Sequence, residues 1–148
     1  MSKMVRWALI LLVLLPLMGC RISLLHLNED KDTLTFVVRA DSDWQDTGIQ
    51  VKPGMRVRIR QVSGLWSPWS GSTYDAVGSG GDPHCDCNVA EGISHAALIG
   101  KVGNSQPFYV GRDFDQHLGE RGTLYLRIND THLQDNAGAL EVVIEVER

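Results

Sequence analysis

The 148-residue chain lacks the excess of positive charge that a nucleic-acid-binding protein needs. It contains 14 Lys and Arg against 18 Asp and Glu, a formal net charge of −4. Lys3 and Arg6 lie in the first 19 residues and no acid does, so a chain without that segment would have 12 basic and 18 acidic residues, about −6. Because nucleic-acid phosphates demand a basic face, the composition excludes nucleic acid as a partner.

The sequence also lacks the segments that carry familiar hydrolytic chemistry. Neither Gly-x-Ser-x-Gly nor His-Glu-x-x-His occurs. Residues 41–46 begin like an EF-hand loop, but Asp46 stands where that loop requires glycine. We therefore expect a binding protein and not an enzyme.

The N-terminus has no apolar run long enough to span a bilayer comfortably, yet it has the anatomy of a secretory signal. Lys3 and Arg6 precede an apolar run over 7–18, and Gly19 and Cys20 follow it. An ordinary cleaved signal and a membrane anchor remain alternatives to lipidation. Residues 17–20 resemble the bacterial lipobox, in which the cysteine becomes the lipid-bearing first residue.

That resemblance implies a signal peptide over 1–19 and a lipidated Cys20 with a short tether over 20–32. The residue two after Cys20 is Ile22, and no aspartate directly follows Cys20, which implies sorting to the outer membrane. Acyl chains would then supply the membrane attachment, with no basic patch required. We expect a cell-envelope lipoprotein that faces the periplasm or the surface.

Helical periodicity is absent after the signal, and apolar residues alternate with polar ones instead. Period-two alternation is typical of strands with one wet face. It predicts strands over 55–60, 124–128 and 140–146, and further strands are expected over 33–40, 93–102 and 106–111. Short strands separated by Gly, Pro, Asn and Asp predict one all-β domain over 33–148, an antiparallel β-sandwich or jelly roll.

A long segment over 64–91 is rich in Gly, Ser, Pro and Asp and carries Trp66, Trp69 and Tyr74. Loops of this length inside compact domains are usually functional or disordered. Tryptophan and tyrosine rings pack well against the C–H faces of sugars. Trp66 directly follows a predicted strand, so we expect it in the core and take Trp69 as the ligand-binding candidate.

Near the C-terminus, Asp130, Asp135 and Asn136 stand at the two ends of one short connection between predicted strands. Calcium prefers six to eight such oxygen ligands from carboxylates, amides, carbonyls and water. The two carboxylates would balance its charge and leave a neutral site for uncharged ligands such as sugar hydroxyls. The alternative is a polar hairpin loop, since Asn, Asp and Gly are ordinary turn residues.

Cys85 and Cys87 are the cysteines that remain if Cys20 is acylated. An even pair in an oxidising compartment usually forms a disulfide, which residues two apart can reach with some strain. A soft-metal site with His84 and two free thiols are the alternatives. A catalytic Cys–His pair would lack a third orienting group.

Across residues 38–146 the chain resembles the PA-IL-like family, the bacterial calcium-dependent galactophilic lectins. The resemblance lies in the order and spacing of several segments, which are 44–49, 51–54, 64–66, 97–103, 108–111, 128–130 and 135–138. It implies a galactose-binding jelly roll with calcium between two loops at one end. Asp130, Asp135 and Asn136 would then give side-chain oxygens, with backbone carbonyls from 131–134 and from near Trp69.

Two departures from this family limit what the resemblance implies. The connection between Asp130 and Asp135 is shorter than in the galactophilic lectins. Those lectins also contact sugar through His-Pro-x-Gln, whereas here the nearest stretch, 82–86, has proline before His84 and no glutamine. Metal binding therefore transfers better than galactose specificity, with His84 as a ligand-binding candidate.

Three functions follow from these observations. The first is a lipid-anchored, calcium-dependent carbohydrate-binding module whose ligand is a galactoside-like glycan. The second is a non-enzymatic envelope lipoprotein that uses the same sandwich structurally or to bind an envelope protein. The third is an enzyme or redox device centred on residues 84–87.

Overall fold

The computed structural model describes residues 31–148, which form eight strands and one short 3-10 helix. The predicted signal peptide and Cys20 lie outside the described residues. The strands are β1 (Lys31–Arg39), β2 (Gln45–Val51), β3 (Arg56–Ser67), β4 (Leu98–Val102), β5 (Phe108–Tyr109), β6 (Asp113–His117), β7 (Gly122–Ile128) and β8 (Ala137–Glu147). The 3-10 helix η1 spans Leu133–Asp135. Within 31–148 no helix has the length and apolarity to cross a bilayer.

The strands form two four-stranded sheets. The first sheet has the order β1-β8-β3-β6 and the second has the order β2-β7-β4-β5. Every strand pairing is antiparallel. The predicted all-β antiparallel sandwich is therefore confirmed.

The core lies between the sheets and is built from the alternating residues of the long strands. On β8, alternate residues from Leu140 to Val146 are buried, and on β7 Leu124, Leu126 and Ile128 are fully buried. Complete burial of such an aliphatic side chain contributes about 1.5–3 kcal/mol relative to exposure. The period-two pattern thus fixes which face of each strand points inward.

The strand expected over 106–111 is only the two-residue β5. Two further boundaries differ from the prediction. The strand expected over 93–102 begins only at Leu98, because Ala96 has a positive φ of 61° and the Asn129 side chain binds the carbonyls of Ile93 and Ser94. The segment expected to be irregular from residue 64 continues as a strand to Ser67. Both differences arise from pairings with distant parts of the chain.

Two strands lack a sequence prediction. β2 contains a register shift between Asp46 and Gln50, where Gly48 has a φ of 77°. Its burial alternates, but the inward positions 45 and 47 are the polar residues Gln45 and Thr47, so the sequence itself does not alternate between apolar and polar. β6 is an edge strand of mostly exposed residues that pairs with β3. Neither strand has the period-two pattern that reveals a half-buried strand.

Candidate functional site

The connection that carries the predicted calcium ligands joins the two sheets. β7 ends at Ile128 in the second sheet and β8 begins at Ala137 in the first sheet, with η1 between them. The alternative interpretation as a hairpin loop is therefore wrong, because hairpin strands are hydrogen-bonded neighbours in one sheet. The connection lies at one end of the sandwich, across the gap between the sheets.

Asp130 lies at the start of this connection and is only 2% exposed. Its Oδ1 accepts a hydrogen bond of 2.8 Å from the His132 backbone N–H, and its Oδ2 lies 3.8 Å from Nε2 of His95. Its backbone carbonyl accepts a hydrogen bond of 2.7 Å from Arg127. A carboxylate is thus buried next to backbone and side-chain donors, with one oxygen beyond hydrogen-bonding distance of His95.

Asn136 lies at the other end of the connection and is 8% exposed. Its Nδ2 donates a hydrogen bond of 3.1 Å to the carbonyl of Ala40, which fixes the orientation of the amide. Its Oδ1 is buried and has no hydrogen-bond partner. Buried polar atoms are nearly always paired, so this oxygen is available to a ligand that the protein atoms do not supply.

Asp135 differs from these two residues because it is exposed. It is the last residue of η1 and directly precedes Asn136. Among residues 31–148, no three His, Cys, Asp or Glu side chains gather into a metal-binding group. A cation at this connection would therefore also depend on the Asn136 oxygen and on backbone carbonyls, both of which are ordinary calcium ligands.

Arg127 is a residue of this site that the sequence does not reveal. It is 5% exposed, donates hydrogen bonds of 3.0 Å to the carbonyl of Ile128 and 2.7 Å to that of Asp130, and pairs with the Asp43 carboxylate. Burial lowers the pKa of Arg127, against the opposing attraction of Asp43 and Asp130. The guanidinium holds the backbone of Asp130 and places a positive charge beside its carboxylate.

Trp69 is 38% exposed and lies on the same side of the molecule as Asp130, to which His95 connects it. The Trp69 ring stacks on the His95 ring with a centroid distance of 5.6 Å and an interplanar angle of 13°. It also makes an edge contact of 5.7 Å with Tyr74. The Trp69 carbonyl accepts a hydrogen bond from the Ser67 hydroxyl. A partly exposed aromatic ring is thereby held against the histidine that faces the buried carboxylate.

Trp66 belongs to the core, as predicted. It is 1% exposed, and its Nε1–H donates a hydrogen bond of 2.9 Å to the carbonyl of Ala96. Its backbone also exchanges two hydrogen bonds with Tyr74. Trp66 thus anchors the beginning of the loop that presents Trp69.

His84 lies on the surface of the loop, with its side chain 68% exposed. Its Nδ1 is 3.4 Å from a carboxylate oxygen of Glu91, and its backbone N–H donates to Asp82. Cys85 and Cys87 are joined by a disulfide bond. In this state neither sulfur is the thiolate that a soft-metal site with His84 would need.

Comparison with solved structures finds a similar domain, described as "EclA N-terminal domain; PllA-like lectin". It is 24% identical, the match covers 76% of this chain and 95% of that one, and the TM-score is 0.60. No protein-family model and no curated protein matches the chain. At this identity the likeness shows the fold, so the predicted PA-IL-like lectin sandwich is confirmed as an architecture.

Proposed function

We propose that this chain is a carbohydrate-binding module that holds a calcium ion at the connection between β7 and β8. The observation that carries the proposal is the unpaired, buried Oδ1 of Asn136, which stands across the connection from the buried carboxylate of Asp130. The fold that the chain shares with a lectin domain supports the same conclusion.

The donor set fits a hard cation. Asp130 and Asn136 would supply buried oxygens, Asp135 a carboxylate at the solvent boundary, and carbonyls within 131–134 further oxygens. Calcium, when bound, supplies coordination positions that vicinal sugar hydroxyls can complete. The carboxylates of Asp130 and Asp135 offset the two charges of the ion, which favours a neutral ligand over an anionic one.

The aromatic part of the site fits the apolar face of a sugar. Trp69 is 38% exposed, and the His95 ring braces it from the protein side. Aromatic rings bury the C–H surface of a pyranose while its hydroxyls remain free for hydrogen bonds or coordination. The ligand class is therefore a hydroxyl-rich neutral glycan, with galactosides as the first compounds to test and His84 as an outer contact.

The cellular location follows from the lipobox-like segment. In this proposal Cys20 carries acyl chains that attach the module to the cell envelope, at the outer membrane. Attachment through acyl chains does not require a basic surface that binds lipid phosphates, so it is compatible with an acidic domain. Labelling with a radioactive fatty acid, in the wild type and in Cys20→Ser, tests the attachment separately from the sugar binding.

Calorimetric titration of calcium into the purified full-length chain tests the site. Asp130→Asn keeps the shape of the side chain but removes its charge, and we expect it to abolish measurable binding. Asp113→Asn is the matched control, since Asp113 is an exposed carboxylate on β6. Equal calcium affinity in the wild type and in Asp130→Asn would contradict the proposal.

A glycan-array experiment tests the ligand. The full-length chain should bind neutral glycans in calcium and lose them in a chelator, and Trp69→Ala should lose them while it keeps its calcium affinity. Binding that persists in the chelator would disprove the calcium dependence. Binding that Trp69→Ala retains in full would disprove the aromatic contact.

A further inference from the structure

Three consecutive residues at the start of the β7–β8 connection are all in contact with one distant segment. The residues are Asn129, Asp130 and Thr131, and the segment is 82–95, which we call the disulfide segment because Cys85 and Cys87 lie in it. The sequence shows no reason to connect these two parts of the chain.

Asn129 is fully buried, and its side chain makes hydrogen bonds with the disulfide segment. Its Oδ1 accepts a hydrogen bond of 2.8 Å from the N–H of Ala90. Its Nδ2 donates to the carbonyls of Ala90, Ile93 and Ser94 at 3.2, 3.0 and 3.2 Å. The hydrogen bonds of this one amide therefore hold the end of the disulfide segment against Asn129, the residue that precedes Asp130.

Thr131 is tied to Cys87 in two ways. The Thr131 backbone N–H donates a hydrogen bond of 2.8 Å to the carbonyl of Cys87, and the Thr131 hydroxyl donates to the same carbonyl at 3.1 Å. Thr131 directly follows Asp130 and begins the stretch from which a backbone ligand would come. The position of the Cys87 carbonyl therefore sets the position of that stretch.

His95 completes the contact between the segment and the site. Asn88 orients the ring, because its Nδ2 donates to the carbonyl of Asp82 and its Oδ1 lies 2.9 Å from Nδ1 of His95. The Cys87 sulfur lies 3.3 Å from the same nitrogen. The other ring nitrogen faces Asp130 at 3.8 Å, and the ring face supports Trp69.

The disulfide fixes the position of Cys87, but it contributes little to the stability of the whole fold. A disulfide stabilises a fold chiefly through the loop that it closes in the unfolded chain, and this effect is smallest for short loops. Cys85 and Cys87 are only two residues apart. The bond is therefore suited to holding the Cys87 carbonyl and sulfur in place beside Thr131 and His95, and poorly suited to stabilising the sandwich.

We infer that the disulfide segment is a positioning element of the binding site, which holds Asn129–Thr131 and the Trp69–His95 stack in the geometry that binding needs. The inference deepens the proposed function and rests on it for the nature of the ligand. A dithiol reductant releases the element by transferring two electrons and two protons. Cys85 and Cys87 become thiols, and the dithiol becomes a cyclic disulfide.

Hydrogen exchange of the full-length chain tests the positioning without any ligand. After reduction by dithiothreitol, and in Cys85→Ser/Cys87→Ser, the Thr131 amide should exchange about tenfold faster, as expected when one hydrogen bond is weakened. The amides of Val142 and Ile144 on β8 should exchange as before. Unchanged protection of Thr131 in the reduced chain would overturn the inference.

Calcium titration tests the consequence for binding. Reduction should weaken calcium affinity about tenfold, the lower end of the effect of losing a group that orients a metal ligand. Thr131→Val, which keeps the fold and removes only the hydroxyl contact, should weaken it in the same direction, whereas Thr35→Val on an exposed part of β1 should not. Equal affinity in the oxidised and reduced chains, despite faster exchange at Thr131, would overturn the inference.

The two proposals fail in distinguishable ways. If the oxidised wild type takes up no calcium at any concentration, the proposed function is wrong, and exchange at Thr131 alone decides whether the disulfide segment positions this connection. If the oxidised chain binds calcium and the reduced chain binds it equally well, the proposed function stands and the positioning role is wrong.

Discussion

Replacing Asn136 with alanine should abolish stabilisation by calcium and leave the metal-free domain near its original stability. The reason is the unusual state of this amide, in which the nitrogen is paired with Ala40 and the buried oxygen is paired with nothing. An ion at the connection would satisfy that oxygen. The substitution removes the proposed ligand without adding bulk to a buried position.

The expected magnitudes come from opposing contributions. Removing a buried, unpaired oxygen relieves a penalty of about 1–3 kcal/mol, while losing the bond to Ala40 and leaving that carbonyl without its donor costs a similar amount. The metal-free variant should therefore differ from the wild type by less than about 2 kcal/mol. Free calcium at about 100 times its Kd should stabilise the wild type by about 2.7 kcal/mol. For the roughly 120 residues of the β-sandwich domain this corresponds to a rise in Tm of about 11 °C.

Thermal unfolding of the full-length chain, followed by circular dichroism in calcium and in chelator, measures both quantities. Asn104→Ala, at an exposed asparagine after β4, is the matched control and should keep the calcium shift. A wild type whose Tm is the same in calcium and in chelator would refute the reasoning. So would an Asn136→Ala variant that keeps the whole shift.

Three further predictions concern the stability of the fold, each measured by urea unfolding. The hydrogen bond from Arg56 holds the pKa of Asp115 below its ordinary 3.8. The stability that this pair contributes is therefore fully present above pH 3.8 and is lost as the pH falls through the lower pKa of the folded state. If Asp115→Asn has the same dependence of stability on pH as the wild type, this prediction is wrong. Gly64→Ala should cost about 2–3 kcal/mol, because φ is +88° and the new Cβ would overlap the backbone carbonyl oxygen of Ala139 on β8. Gly71→Ala should cost less, because φ is +90° there too but the space around the new Cβ is open. Equal losses at the two glycines would disprove the role of the close approach. Arg127→Met should destabilise the chain by about 2–3 kcal/mol, because it leaves two carbonyls without their donor, and an unaltered midpoint would contradict this.

The long strands could be predicted because the physics that forms them is local. Each of β7 and β8 has one face in the core, so apolar and polar residues alternate in the sequence itself. β2 could not be found in this way, because two of its inward positions are occupied by the polar residues Gln45 and Thr47, so apolar and polar residues do not alternate in the sequence. The end of β3 was likewise hidden, since Gly64 and Leu65 belong to a strand only through their pairing with β8.

The candidate site was predictable only in its oxygen-bearing residues. Asp130 and Asn136 lie at or near strand ends and carry side-chain oxygens of the kind that calcium binds, so residue type and position predict them as candidate ligands. The roles of Arg127 and Asn129 depend on partners 84 and 39 residues away, and nothing local in the sequence indicates those contacts. His95 looks like any scattered histidine until the fold places it between Trp69 and Asp130.

The direction of β8 separates the two ends of the domain. Asn136 directly precedes its first residue, whereas its last residue, Glu147, pairs with Lys31 at the beginning of β1. Eleven residues of extended chain span roughly 33 Å, so the point where β1 begins and Arg148 both lie far from the tip that carries the β7–β8 connection. If the chain is attached to a surface from the β1 side, that tip points away from the surface. A bead or sensor chip coupled through the C-terminus would likewise leave it open to large, immobile glycans.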